Sequence, residues 1–241
     1  MSLIKLTERV YYLPYESETD RPNLYYVLGD THSLAIDAGN SKAHVEKFYQ
    51  SIRDMGFRLP DYTVITHWHW DHTFGMHAVN GVTITGHITH QKLQSVRKWE
   101  WTDEAMKQRL SSGQEIAMCD RDIRLEYPDR AEIKVTTASM FFERKVTIDL
   151  GNIQCELLEV SAPHSRDSVI IYIDQEKVLA VGDADCEDFY DNGGKYDRLL
   201  LKNMISLLEG IDFVTYLLGH DKPQTKSEVM TYLYNEYDKL F

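Results

Sequence analysis

One short segment of the chain concentrates residues that can bind a metal. Three histidines and one aspartate lie between His67 and His72, in the order His-Trp-His-Trp-Asp-His. With this composition, such a pattern arises by chance in roughly one or two of a thousand shuffled sequences. Imidazole and carboxylate groups are borderline-to-hard ligands that suit zinc, iron or manganese. The segment therefore predicts a binding site for ions of this kind.

The spacing within this segment favours two ions over one. A strand is predicted over 64–66, and alternate residues that leave a strand project in related directions, so His67 and His69 can face one point. Asp71 and His72 follow where the chain turns, and they can face a second point nearby. A helix is expected directly after His72, with its positive N-terminus toward the site. Four ligands are too few for two ions, so more are expected at later strand ends.

Three later residues meet that requirement. His164, Asp183 and His220 each follow a segment with strand-forming composition, and each is directly preceded by proline or glycine. Proline and glycine are common where the backbone turns sharply around a crowded site. The sequence thus offers seven candidate ligands in all.

The surrounding elements predict an α+β fold with two sheets. Strands are predicted at 23–28, 33–37, 64–66, 82–85, 140–142, 146–150, 153–160, 169–173, 178–181 and 213–217. Helices are predicted at 41–55, 196–209 and 225–237, and several short ones between 89 and 127. The strands between 140 and 181 are expected to form one meander. We expect a single domain over 1–241 with helices on the outer faces and a helical insertion at about 88–134.

Composition limits the classes of partner. The 241 residues contain 26 Lys and Arg against 38 Asp and Glu, a formal net charge of −12, which disfavours nucleic acid. No apolar stretch is long enough for a membrane span, and charged residues near the N-terminus argue against a signal peptide. Three widely spaced cysteines do not suggest a disulfide framework, so a cytoplasmic protein is expected. The expected partner is a small-molecule substrate.

The candidate ligands and their order resemble the metallo-β-lactamase-fold hydrolase superfamily. The matching residues run from the strand end at 36–39 to His220, and the ligand set is most similar to that of lactonase and glyoxalase II-like members. The resemblance implies a four-layer αββα sandwich with metals at the sheet edge between its halves. By this resemblance, one ion would be bound by His67, His69 and His164. A second ion would be bound by Asp71, His72 and His220, and Asp183 would bridge the two.

The same resemblance implies a dinuclear hydrolase. Two divalent ions, zinc first and iron or manganese as alternatives, would hold a bridging hydroxide that attacks a small ester, thioester or lactone. Asp71 would orient the hydroxide or return its proton to the leaving group. Tyr190 is a candidate catalytic phenol, because related lactonases carry one on the loop after the bridging aspartate, although the spacing here is longer.

Two other interpretations remain open from the sequence. A mononuclear iron persulfide dioxygenase has a similar fold and would hold its metal with His67, His164 and Asp183. A metal-binding domain without catalytic activity is the third possibility. Because the chain retains a full second set of candidate ligands, both interpretations rank below the hydrolase.

Several other residues near the candidate ligands are predicted to be structural. Asp37 is expected to fix a loop by accepting hydrogen bonds. Trp68 and Trp70 alternate with the histidines and are expected to face away from the metals. Trp99 and Trp101 lie in the helical insertion, where packing in a core is favoured over a place in the pocket wall.

Overall fold

The structure, a computed structural model, describes residues 3–240 as two β-sheets packed face to face. The strands of the first sheet, in spatial as well as chain order, are β1 (Ile4–Lys5), β2 (Val10–Leu13), β3 (Leu24–Leu28), β4 (Ser33–Ile36), β5 (Tyr62–Val64), β6 (Val82–Gly86) and β7 (Met140–Phe142). Strands β1 to β4 are antiparallel, and β4 to β7 run parallel to one another.

The second sheet also keeps its strands in chain order. They are β8 (Lys145–Asp149), β9 (Gln154–Val160), β10 (Ser168–Ile173), β11 (Val178–Gly182), β12 (Thr215–Leu218) and β13 (Gln224–Thr225). Only the β11–β12 pair is parallel, and the other neighbours are antiparallel. Strands β9, β11 and β12 therefore point the same way and end at one edge of the sheet.

Helices cover both outer faces, which gives four layers. They are α1 (Lys42–Asp54), α2 (Trp70–Thr73), α3 (His87–Val96), α4 (Asp103–Ser112), α5 (Ala117–Glu126), α6 (Arg198–Gly210) and α7 (Lys226–Asp238). Helix α1 packs its apolar side, including Phe48 and Ile52, on the first sheet. Helices α6 and α7 pack on the second sheet. Helices α3 to α5, which follow β6 and precede β7 in the chain, form a separate cluster. The predicted αββα sandwich is confirmed.

The main core lies between the two sheets. Inward-facing residues of the first sheet, such as Val27 and Ile36, pack against residues of the second, such as Leu157 and Ile171, and all four are almost fully buried. Alternation of apolar residues along each strand produces this inner face. No helix within 3–240 is long and apolar enough to cross a membrane.

Three local predictions need correction. Strand β7 pairs in parallel with β6 in the first sheet, so the meander contains only β8 to β11. The strand predicted at 64–66 already ends at Val64, and the amide of Thr66 binds the side chain of Asp37 instead of a neighbouring strand. The helix expected after His72 begins at Trp70, so it includes His72 itself.

One buried histidine behind the site has no partner for its ring. His44, in the first turn of α1, is fully buried, and neither ring nitrogen has a hydrogen-bond partner within the part of the chain described. Burial and the positive charge of Arg21 lower the pKa of His44 to about 3. The ring is therefore neutral in the folded protein, whereas the unfolded chain protonates it near pH 6.5.

This histidine should make the fold sensitive to acid. Because the unfolded state binds the extra proton, stability falls as the pH falls from about 6.5 toward 3, by about 2 kcal/mol between pH 7 and pH 5. We expect His44→Leu to remove that part of the pH dependence. Urea unfolding of both proteins at pH 5 and pH 7 measures it, and contributions shared by both proteins cancel. Equal loss of stability in the two proteins would contradict the assignment.

Candidate metal centre

Strand ends from both sheets place the seven candidate ligands at one edge of the sandwich. The segment after β5 provides four of them, and the segments after β9, β11 and β12 provide His164, Asp183 and His220. Two backbone contacts join the sheets here. The amide of Val169 donates to the carbonyl of Thr66 at 2.6 Å, and the amide of Asn23 donates to the carbonyl of Gly219 at 2.6 Å.

Three imidazoles form the first group. His67 Nε2 lies 2.9 Å from His69 Nδ1, and His164 Nε2 lies 3.0 Å from the same His69 atom. All three side chains are buried, and their facing nitrogens lie within 4.8 Å of one another. One ion could be bound by all three.

Two carboxylates and two imidazoles form the second group. Asp71 Oδ2 lies 2.9 Å from His72 Nε2 and 2.9 Å from His220 Nε2. Asp183 Oδ2 lies 3.2 Å from His72 Nε2 and 3.5 Å from His220 Nε2. These four ligand atoms also lie within 4.8 Å of one another.

Asp183, a member of the second group, also faces the first group. The same oxygen that faces His72 and His220 is 3.8 Å from His164 Nε2 in the first group. A single carboxylate oxygen therefore faces imidazoles of both groups. A ligand that bridges two ions would have to occupy this position. His67 and His69 thus lie in one group and Asp71 and His72 in the other, the separation expected from their spacing.

Neighbouring acceptors fix which ring nitrogen carries hydrogen in two of the histidines. His164 Nδ1 donates to the carbonyl of Glu187 at 2.7 Å, and His72 Nδ1 donates to Asp37 Oδ2 at 2.8 Å. A carbonyl or carboxylate oxygen can only accept, so these nitrogens carry the hydrogen. In the neutral rings Nε2 then presents a lone pair to the site, as in histidines that bind metals.

Thr66 extends this arrangement to His67. Its hydroxyl lies 3.0 Å from both Asp37 oxygens, to which it can donate, and 3.1 Å from His67 Nδ1, from which it can accept. Asp37 also accepts from the Thr66 amide at 2.7 Å, so it fixes this loop as predicted. The lone pair of His67 Nε2 consequently points at His69.

The donor set of the first group fits a divalent cation. His67 Nε2 and His164 Nε2 both direct lone pairs at His69 Nδ1, where one hydrogen can serve only one of them well. Burial lowers the pKa of His67 and of His69 well below the usual range, so their rings are neutral. A cation would satisfy all three nitrogens at once.

Electrostatics differ in the second group. Burial disfavours a charged ring, but Asp71, Asp37 and Asp183 together raise the pKa of His72 well above its usual value. Burial also disfavours a charged His220 ring, but Asp183 and Asp71 raise its pKa to about 9. Without a metal, these imidazoles would carry protons that balance the carboxylates. An ion that binds here must displace those protons.

Comparison with known proteins assigns the family. The family model described as the metallo-beta-lactamase superfamily matches residues 19–220, most of the chain. The chain belongs to the metallo-β-lactamase superfamily. The predicted resemblance is thus confirmed, and the fold is that of a family made up mostly of metal-dependent hydrolases. A search of curated proteins finds no match.

Several solved structures show the same fold at low sequence identity. A metallo-β-lactamase from Pontibacter korlensis has a TM-score of 0.64 and 17% identity, with coverage of 97% of this chain and 99% of the other. A family protein from Thermus thermophilus has a TM-score of 0.64 and 14% identity, with coverage of 96% and 81%. The sec-alkylsulfatase Pisa1 from Pseudomonas sp. has a TM-score of 0.71 and 14% identity. The match covers 98% of this chain but only 41% of the sulfatase.

A pocket of about 370 Å³ opens onto the two groups of candidate ligands. Its floor consists of His69, Asp71, His164, Asp183 and His220. Its walls come from the segment before β3, from the start of α5 and from the loop after β11, and consist of Tyr15, Ser17, Asp20, Ile116, Met118, Cys119, Arg121, Asp122, Cys186, Glu187, Phe189 and Tyr190. Most of these wall residues belong to no motif.

Tyr190 contacts both the floor and the helical insertion. Its ring centroid lies 4.9 Å from that of His69, and its hydroxyl donates to Glu115 Oε1 at 2.7 Å. Burial raises the pKa of Tyr190 well above its usual value, so the phenol keeps its proton. Burial likewise raises the pKa of Glu115. The structure therefore places Tyr190 in the pocket wall.

The tryptophans contribute to the site unequally. Trp99 and Trp101 both pack on Arg109, whose guanidinium carbon lies 4.8 and 4.7 Å from their rings, and neither lines the pocket. The prediction of a packing role is met. Trp70 is buried among apolar residues, whereas Trp68 supports the edge of the site, 4.9 Å from the His69 ring.

Sequence reasoning missed Asp20. Its Oδ1 lies 3.5 Å from His220 Nδ1, and burial together with the Asp71 carboxylate raises its pKa to about 6. Asp20 has a left-handed backbone with φ of 55° at the end of a short 3-10 helix. No local pattern marks it, because only the folded chain brings it to a residue 200 positions away.

Gly219 allows Asp183 to approach the second group. A Cβ atom at Gly219 would lie 2.0 Å from Asp183 Oδ1, so Gly219→Ala must displace the carboxylate. We expect this variant to lose metal affinity by about 10-fold or more, as for other changes that reorient ligands. Competition with a chromogenic chelator measures it. Gly210→Ala, where a Cβ meets nothing within 4 Å, is the matched control, and equal affinities of the two variants would refute the expectation.

Proposed function

We propose that this protein is a dinuclear metal-dependent hydrolase of small esters, thioesters or lactones. The supporting observation is the complete set of seven ligand-type side chains in two adjacent groups with Asp183 between them. Zinc is the first expectation, and iron or manganese would suit the same nitrogen and oxygen donors. The three imidazoles would hold one ion, and Asp71, His72 and His220 the other.

Two divalent ions in these positions would bring the pKa of a shared water toward neutrality and polarise the carbonyl group of the substrate. The protein itself would orient the ligands through Asp37, Thr66 and the carbonyl of Glu187. Asp71, a member of the second group, lies in the pocket floor, where it would orient the attacking water and accept its proton.

The size and charge of the pocket support a small-molecule substrate. Its volume of about 370 Å³ is in the range of small-ligand sites. The formal net charge of −12 opposes binding of nucleic acid. The alternative with one iron, held by His67, His164 and Asp183, leaves the second group without a function, so no observation favours it.

Metal content tests the dinuclear proposal. We expect about two ions per chain after purification with zinc, and hydrolysis of a lactone or thioester in a chromogenic panel that also contains phosphodiesters and β-lactams. Asp183→Ala should reduce the rate by about 100-fold or more, because it removes the bridging position. Asp54→Ala, which changes an exposed carboxylate on α1, is the matched control. One ion per chain together with oxygen uptake on a persulfide would replace this proposal with the dioxygenase.

We further propose that Tyr190 donates a proton to the leaving group. Tyr190→Phe should then slow hydrolysis of an alkyl ester, whose leaving group needs a proton, by about 10- to 100-fold. A p-nitrophenyl ester, whose leaving group needs none, should change by less than about twofold. Steady-state kinetics on both esters separates proton donation from wall packing. Similar effects on both esters would show that the hydroxyl has only a structural role.

A further inference from the structure

The mouth of the pocket exposes large apolar side chains. Tyr15, Met118 and Phe189 are 41%, 44% and 44% exposed, although they come from three separate segments of the chain. Ile116 lies beside them in the same wall. Scattered exposed apolar residues are ordinary, but their convergence around a concave site is a feature of ligand binding.

The charged residues of the wall do not offer a site for an anion. Outside the candidate ligands, three carboxylates, those of Asp20, Asp122 and Glu187, accompany a single cation, Arg121, among the described lining residues. Arg121 is already paired with Asp122, with Nε to Oδ1 at 2.7 Å and Nη2 to Oδ2 at 2.8 Å. A carboxylate or phosphate on the substrate would therefore meet three carboxylates and a single cation that is already paired with one of them.

Local contacts hold these apolar residues in place. Asp188 Oδ1 accepts from the amides of Tyr190 and Asp191, at 2.9 and 2.8 Å, which fixes the turn that presents Phe189. Helix α5, which carries Met118, is held by the bond from Tyr190 to Glu115 just before it. A wall that is already ordered loses little conformational entropy when a ligand binds.

We infer that this wall is a subsite for an uncharged apolar chain. The preferred substrate is a neutral ester, thioester or lactone with a linear alkyl or acyl chain, and analogues that end in a carboxylate or phosphate are poor substrates. This inference rests on the proposed hydrolase function for its kinetic consequence. The binding of the chain depends on the wall residues alone.

A chain-length series tests the subsite. The substrates are p-nitrophenyl esters from acetate to octanoate, and their kcat/KM values are corrected for the rate with free hydroxide. The corrected kcat/KM should rise by about twofold per methylene, which corresponds to roughly half the transfer free energy of a fully buried methylene. Mono-p-nitrophenyl suberate, which has eight carbons and a terminal carboxylate, should be at least about 10-fold poorer than the octanoate. Arg121→Gln should leave this preference intact.

Variants on one helix locate the effect. Met118→Ala should flatten the chain-length dependence, whereas Leu125→Ala, which changes another exposed apolar residue of α5 outside the pocket, should retain it. A flat series in the unaltered protein would overturn the inference. So would a preference for the suberate that Arg121→Gln abolishes, because Arg121 would then bind an anion.

Binding without turnover separates this inference from the proposed function. Calorimetry with N-octylacetamide and with 8-acetamidooctanoate should show tighter binding of the neutral compound, weakened by Met118→Ala but not by Leu125→Ala. If this pattern appears while no ester is hydrolysed, the subsite stands and the hydrolase proposal fails. If esters are hydrolysed but neither compound binds through Met118, the subsite fails alone.

Discussion

Buried nitrogen and oxygen atoms converge at one edge of the sandwich at distances that are favourable only with added positive charge. In the first group, three imidazoles face one another, and burial lowers the pKa of His67 and of His69 so that these two rings stay neutral. In the second, two carboxylates lie together and raise the pKa of the imidazoles between them. Buried polar groups without partners are costly, so the fold must recover that cost through bound cations or protons. The arrangement of the surrounding chain follows from this requirement.

The neighbours of the ligands determine their chemistry as much as the ligands do. Asp37 accepts from His72, from the Thr66 amide and from the Thr66 hydroxyl, so one carboxylate orients two segments of the motif. Asp37 has a left-handed backbone with φ of 66°, a conformation that aspartate tolerates better than most residues. Backbone strain of this kind persists only where surrounding contacts enforce it, and here they are contacts to ligand residues.

The sequence predicted the floor of the site better than its walls. The His67–His72 segment is local in the chain, and His164, Asp183 and His220 follow strands whose composition is recognisable, so their meeting at one edge could be anticipated. Strand β7 was assigned to the wrong sheet, because β-propensity identifies a strand but not its partner. Asp20 and Glu115 lie in irregular segments, and their positions depend on contacts between distant parts of the chain.

The same division explains how this fold can vary its substrate. The floor belongs to strand ends that two sheets hold rigidly, whereas the walls belong to α5 and to loops, which tolerate changes more readily. The two parts meet at Tyr190, which packs on His69 and bonds to Glu115. A change at the exposed surface of α5 alters the wall without touching these contacts. The metal groups can therefore stay constant while the wall selects the chain that the substrate carries.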